Sequence, residues 1–173
     1  LPPGAAQLGA IGWVMSTVVT SDLSVVFGER RAVTGVSLPV AAGEWLAVVG
    51  PNGAGKTSFL RAVAGTVRYR GSVLVDDVEV SAMTPRRAAA AMAVVPQHRV
   101  LPEDMTVFDY ILLGRTPHTG YFGVEGPEDF AAARRALVRL DAVTLEHRRL
   151  GTLSGGESQR VVLARALAQE TGV

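Results

Sequence analysis

Eight consecutive residues constrain this chain more than any others: Gly50-Pro51-Asn52-Gly53-Ala54-Gly55-Lys56-Thr57, followed by Ser58, fits the pattern G-x-x-x-x-G-K-[ST]. The motif lies between Trp45-Leu46-Ala47-Val48-Val49, a continuous apolar run bounded by glycines, and Thr57 to Ala64, which has helical spacing. Such a run predicts a strand buried on both faces, as in a parallel sheet covered by helices. Glycines let the intervening loop curl until consecutive backbone N–H groups point inward, and the free donors of the following helix add partial positive charge. That is a seat for a polyphosphate. Lys56 supplies a compact charge for the β- and γ-phosphates, and the Thr57 hydroxyl is a ligand for the Mg²⁺ that bridges them.

Composition sharpens the reading of Lys56. The chain has 17 basic residues, and Lys56 is its one lysine. An arginine-rich chain therefore keeps a flexible ammonium at the one position where the motif requires it. With 16 acidic residues the formal net charge is +1, which argues against a sequence-independent nucleic-acid binder and gives no reason for contact with membrane lipid. The absence of cysteine excludes disulfides, thiolate zinc sites and cysteine nucleophiles. A length of 173 residues suits one domain. Residues 1–21 carry no charge, where a secretory signal needs a basic region, and Pro2, Pro3, Gly4, Gly9 and Gly12 interrupt them. They read as neither a secretory signal nor a spanning helix. Met15 stands just before the first strand pattern, so residues 1–14 are expected to be an extension outside the domain, which then covers residues 15–173.

The remaining pattern is ordered. A strand from Thr20 through Leu23 to Phe27, a turn at Gly28-Glu29-Arg30-Arg31 and a strand from Val33 to Val40 predict a hairpin. Val73 to Val80 alternates like one strand, and Met92 to Val95 reads as a buried strand ended by Pro96. Between them Thr84 and Pro85 open a helix running to Ala91. Val107 to Leu113 and Glu128 to Leu140 are helical by pattern, separated by a Gly- and Pro-rich loop from Gly114 to Pro127. A last helix is expected from Gly155 to Ala168.

Ser154 and Glu157, in Leu153-Ser154-Gly155-Gly156-Glu157, stand in the S-x-x-E relation of a capping box. Capping gives no reason for two glycines in a first helical turn, which they weaken. Close approach of a ligand to the backbone does, and a helix N-terminus with a serine hydroxyl and bare glycine amides suits a γ-phosphate.

The phosphate loop together with Leu153-Ser154-Gly155-Gly156-Glu157-Ser158-Gln159-Arg160 resembles the nucleotide-binding domain of the ABC transporter family, over the chain from about Thr20 to its end. The resemblance implies an α/β fold: a P-loop NTPase core with an N-terminal antiparallel β-subdomain and a helical subdomain over about residues 98–168. It implies ATP and Mg²⁺ as cofactors, held by Gly50, Pro51, Asn52, Gly53, Ala54, Gly55, Lys56, Thr57 and Ser58. It matches Gln97, in Val94-Val95-Pro96-Gln97, to the glutamine that approaches Mg²⁺ and senses the transmembrane subunit. It also puts Phe27 where an aromatic stacks on adenine. Two such domains meet head to tail, so Ser154, Gly155, Gly156 and Glu157 would touch nucleotide on a second ATPase subunit. The helical subdomain would receive a membrane permease, with a solute-binding protein as an indirect partner. The implied place is the cytoplasmic face of the membrane, peripherally.

Lys56 and Ser154 lie 98 residues apart, which excludes the coiled-coil insertion of the chromosome-maintenance and repair relatives. Leu113-Gly114-Arg115-Thr116-Pro117-His118, with Gly120-Tyr121-Phe122-Gly123 and Glu128-Asp129, is similar to ATPases that energise import of iron-siderophore complexes, haem or cobalamin. His98, His118 and His147 have no metal-ligand spacing and are expected to be solvated. Complete family members continue after the signature helix with an apolar strand ending in Asp-Glu and then a switch histidine. None of these is in the 173 residues. Beyond Lys56 and Gln97 no catalytic residue is expected, and the chain reads as incomplete at its C-terminus. Without that strand the run Trp45 to Val49 would show unpaired edges.

Overall fold

The computed structural model describes residues 7–8, 14–97, 100–119 and 123–173. They form two compact units: Leu1–Met92 with Gly172–Val173, and Ala93–Thr171.

In the first unit β1 (Gln7–Leu8) pairs antiparallel with β2 (Val14–Met15). A larger sheet contains β3 (Val18–Phe27), β4 (Arg30–Val40), β5 (Arg70–Val75) and β6 (Val78–Glu79) in the order β4-β3-β5-β6, antiparallel throughout. The expected hairpin is present but tighter than its sequence pattern, because Gly28 at φ 60° lets the chain reverse in two residues and the pairing Phe27 to Arg30 closes it. Alternate residues of β3 point into the core, where Leu23 and Val25 are fully buried against Val73 and Val75 of β5 and against Phe59 and Ala62 of α1 (Lys56–Val63). Thr20 is buried too, and its hydroxyl is satisfied by donating to Val36 O at 3.1 Å and accepting from Leu38 N at 3.2 Å.

The single strand expected from Val73 to Val80 is instead the hairpin β5–β6. Asp76 and Asp77 adopt φ 47° and 62°, the left-handed pair that a two-residue turn demands and that aspartate tolerates. Under this hairpin the Glu79 carboxylate accepts hydrogen bonds from the Tyr69 hydroxyl at 2.7 Å and the Ser72 hydroxyl at 2.6 Å. Burial would raise the Glu79 carboxyl, but bonds from Ser72, Tyr69 and the Val73 N–H outweigh it and hold it below its ordinary value. Burial and the bond to Glu79 push Tyr69 up to about 12.

Two further expectations are corrected. Trp45 to Val49 is not a strand, and Trp45 is 97% exposed. Met92 to Val95 is not a strand either, although Met92 is buried. The physical reason is shared: among the described residues no strand lies beside either run to complete a ladder. No parallel pairing forms among the described residues. Helix α2 (Pro85–Ala91) forms as expected, with the Thr84 hydroxyl accepting from Arg87 N at 3.3 Å.

The second unit is helical: α3 (Val107–Leu112), α4 (Pro127–Arg139) and α5 (Gly155–Ala168). Val107, Ile111, Leu137 and Val161 are buried in its core. The sequence places Gly114 in a loop, whereas residues Leu113–Arg115 continue α3 as a tight helical turn in which Gly114 and Arg115 are buried. A Cβ on Gly114 would overlap the Arg165 carbonyl oxygen of α5, so only glycine permits this approach. Gly120, Tyr121 and Phe122 lie outside the described residues.

Candidate phosphate-binding site

The loop from Gly50 to Lys56 turns on three glycines at positive φ: Gly50 at 151°, Gly53 at 82° and Gly55 at 88°. Gly55 has no alternative, since a Cβ there would overlap the carbonyl oxygen of Ala32 in β4. That contact pins the loop's last residue to the sheet, and α1 begins at the next one. Lys56 then folds back over the loop, its ammonium donating to the carbonyls of Gly50 and Pro51 at 2.8 Å each. Two of the three N–H donors of an ammonium are thus spent on the loop, and one is left for a ligand.

Gly50, Pro51, Asn52, Gly53, Ala54 and Thr57 are exposed and Ser58 half-buried. The curled backbone, the lysine and the helix start fit a polyphosphate. Among the described residues no group of three or more His, Asp or Glu is placed to hold a metal. A Mg²⁺ would rest on the Thr57 hydroxyl and on phosphate oxygens, the ligand set that ion favours with nucleotides. Beneath the loop an open cavity of about 460 Å³ is lined by Val33, Val36, Leu46, Val48 and Phe59. Most of its lining is apolar, and Lys56, Gly55 and Ala54 of the phosphate loop complete it.

Phe27 ends β3 half-exposed, at 48%, so its ring does not close the core and keeps a face for stacking. Its neighbour across the turn, Arg30, is exposed.

The second unit contains the other residues. Ser154 caps α5: its hydroxyl accepts from Glu157 N at 3.3 Å, and Glu157 accepts from Ser154 N at 2.7 Å and from Arg148 at 2.8 Å. The Ser154 backbone N–H first, then the Ser154 hydroxyl and Arg148, hold the Glu157 carboxyl below its ordinary value. A Cβ on Gly155 or Gly156 would meet nothing within 4 Å. Among the described residues nothing in the packing requires these glycines, and their effect is to leave the first turn of α5 bare. Gln97 lines an open cavity of about 420 Å³ with Leu101, Glu103, Leu150, Gly155 and Ser158, beside that turn.

His147 is exposed, as expected. His118 is exposed but not simply solvated, because its Nε2 lies 2.7 Å from the Gln169 carbonyl oxygen at the end of α5. His98 lies outside the described residues. The sequence places Arg115 in a loop and in the stretch that carries the importer likeness, and the structure buries it.

Residues 33–173 match the family described as ABC transporter. A hemin import ATP-binding protein of Gloeobacter violaceus is 46% identical over 150 residues, covering 86% of this chain and 54% of that protein. A cobalamin import ATP-binding protein of Halobacterium salinarum is 39% identical over 158 residues, 91% of this chain and 39% of its own length. The chain thus spans about half, or less, of the length of these curated relatives. Among solved structures, the ADP conformation of an ATP-binding cassette of an ABC transporter superposes with a TM-score of 0.78 at 25% identity, covering 91% of this chain and 66% of that one. The fold is that of such a cassette in part: an antiparallel sheet, the phosphate loop with its helix, and a helical unit.

Proposed function

The chain belongs to the ABC transporter family, whose members bind ATP, and from that premise we propose that it is the ATP-binding part of an importer ATPase. In this reading Mg-ATP sits on Gly50 to Ser58 with Lys56 on the β- and γ-phosphates, Thr57 and Gln97 toward Mg²⁺, and Phe27 against adenine. Ser154, Gly155, Gly156 and Glu157 contact ATP on a second copy arranged head to tail. Residues of the helical unit, about 98–168 within the domain 15–173, receive a membrane permease, and a solute-binding protein is reached only through that permease. Among the described residues no helix is long and apolar enough to cross a membrane. Attachment is accordingly peripheral, through the permease at the cytoplasmic face. The relatives named for hemin and cobalamin import support a metal-chelate cargo of the iron-siderophore, haem or cobalamin kind.

The observation that carries the reading is the pairing of a loop closed by Lys56 with a capped helix whose glycines are bare for no internal reason. A second reading is a nucleotide-binding piece without hydrolysis. It is supported by the groups at the loop, where the described residues supply positive charge and backbone N–H groups, which bind phosphate whether or not it is cleaved. Equilibrium titration with Mg-ATP, sedimentation and a phosphate-release assay test both. Lys56→Ala is expected to weaken ATP binding at least tenfold, and Ser154→Arg to spare binding while blocking ATP-dependent association. Loss of nucleotide binding in monomeric Ser154→Arg would overturn the head-to-tail assignment. Phosphate release that Lys56→Ala abolishes would remove the second reading.

A further inference from the structure

Three residues spaced along one turn converge on the far end of α5. Gly114 admits the Arg165 carbonyl against its backbone. Arg115, only 5% exposed, donates to the Ala168 carbonyl at 2.8 Å, to Glu170 at 2.9 Å and to Asp129 of α4 at 2.9 Å. His118 reaches the Gln169 carbonyl. The last carbonyls of a helix have no partner within it, and here two successive ones are taken up by side chains from another element. Glu170 adds a second sign of constraint. It holds φ 51°, a left-handed conformation that disfavours a residue with a Cβ and in which helices commonly place glycine. Glutamate occupies the position with its carboxylate divided between Arg115 and Arg135, the latter at 2.7 Å. A glycine would relieve the backbone and leave the buried guanidinium short of a counter-charge.

We infer that Arg115 is a positioning residue: its buried fork, with Gly114 and His118, clasps the C-terminal end of α5 and thereby sets the direction in which the helix presents Ser154, Gly155 and Gly156. This rests on the reading that those residues meet nucleotide held by a second copy. A helix of 14 residues is about 21 Å long, so a tilt of roughly 10° at the clasp moves the other end by about 4 Å. Hydrogen bonds to a phosphate tolerate far less, and a misplacement near 1 Å is enough to cost orders of magnitude in a positioned interaction. A planar fork is suited to this, since it fixes three acceptors in one geometry where an ammonium would not. The same stretch, Leu113 to His118, carries the likeness to the metal-chelate importers, and the clasp is a structural reason for its glycine, arginine and histidine.

The test uses the 173-residue chain with Mg-ATP, measuring ATP affinity by titration and ATP-dependent association by sedimentation velocity. Arg115→Lys keeps the charge and loses the fork; Glu170→Gln keeps the shape and loses one counter-charge, and serves if the first variant does not fold. Arg149→Met, which removes only an exposed pair with Asp104, is the control. Association is expected to weaken about tenfold in Arg115→Lys and less in Glu170→Gln, with ATP affinity within twofold of the unaltered chain and the control unchanged. If ATP affinity falls in step with association, or if both variants associate as the unaltered chain does, the positioning role is overturned. If the unaltered chain itself does not associate, the head-to-tail reading fails and takes this inference with it.

Discussion

Two apolar stretches of this chain end in opposite surroundings. Val161, Val162 and Ala164 of α5 are buried, whereas Trp45 and Val49, in the more continuous apolar run, are 97% and 86% exposed. The difference lies in how each segment satisfies its backbone. A helix closes its hydrogen bonds within itself and then needs only an apolar face to pack against, which α3 and α4 provide. A strand closes its bonds on neighbours distant in sequence, and without them neither its ladder nor its side chains find a place. Hydrophobicity alone therefore did not decide burial.

The comparison breaks most visibly between a buried residue of the helical unit and an exposed one of the apolar run. Leu137→Ala, in the helical unit, is expected to cost about 2–5 kcal/mol in urea unfolding, from lost burial and the cavity left behind. Trp45→Ala, which removes a larger side chain, is expected to change stability by less than about 0.5 kcal/mol. A large loss in Trp45→Ala would show that the run is covered in solution. A more modest effect is expected at the cap of α5, where Ser154→Ala removes the bond to Glu157 and costs about 1 kcal/mol; helix content followed by circular dichroism checks it. A further effect belongs to the strand unit. Tyr69 is raised to about 12 from an unfolded value near 10, so the stability it contributes is complete below about pH 10 and is lost as pH rises toward 12. Absorbance titration of the unaltered chain and of Tyr69→Phe should show that the substitution removes a phase near pH 12. A Tyr69 that titrates near 10 would contradict the bond to Glu79.

Acid acts on the helical unit with the opposite sign. Asp129 is held below the ordinary carboxyl range by the Gly126 N–H and by Arg115. The stability it contributes is present above its unfolded value near 4 and is lost as pH falls below it. Unfolding curves between pH 5 and pH 2 on Asp129→Asn should show a flatter decline than the unaltered chain.

The sites differ in how legible they were. Gly50 to Thr57 and Ser154 to Glu157 could be read because each motif is local: the glycines, the lysine and the cap act on their own neighbours in sequence. The hairpin turn at Asp76-Asp77 was hidden because the alternation of β5 runs on into Val78 and Val80 without a glycine to mark the reversal. Arg115 was hidden for another reason. Its acceptors are Asp129, Ala168 and Glu170, up to 55 residues away, and no spacing rule connects them.

By itself, the sequence determined the elements whose hydrogen bonds and caps are internal: the phosphate loop, the hairpin β3–β4, and the helices with their start signals at Thr84 and Ser154. Only the tertiary structure decided which apolar residues are covered, that Gly114 lies against α5, and that Arg115 is a buried clasp instead of a loop cation. Local chemistry is written along the chain, whereas burial and ion pairing depend on which distant segments are there to supply the other half.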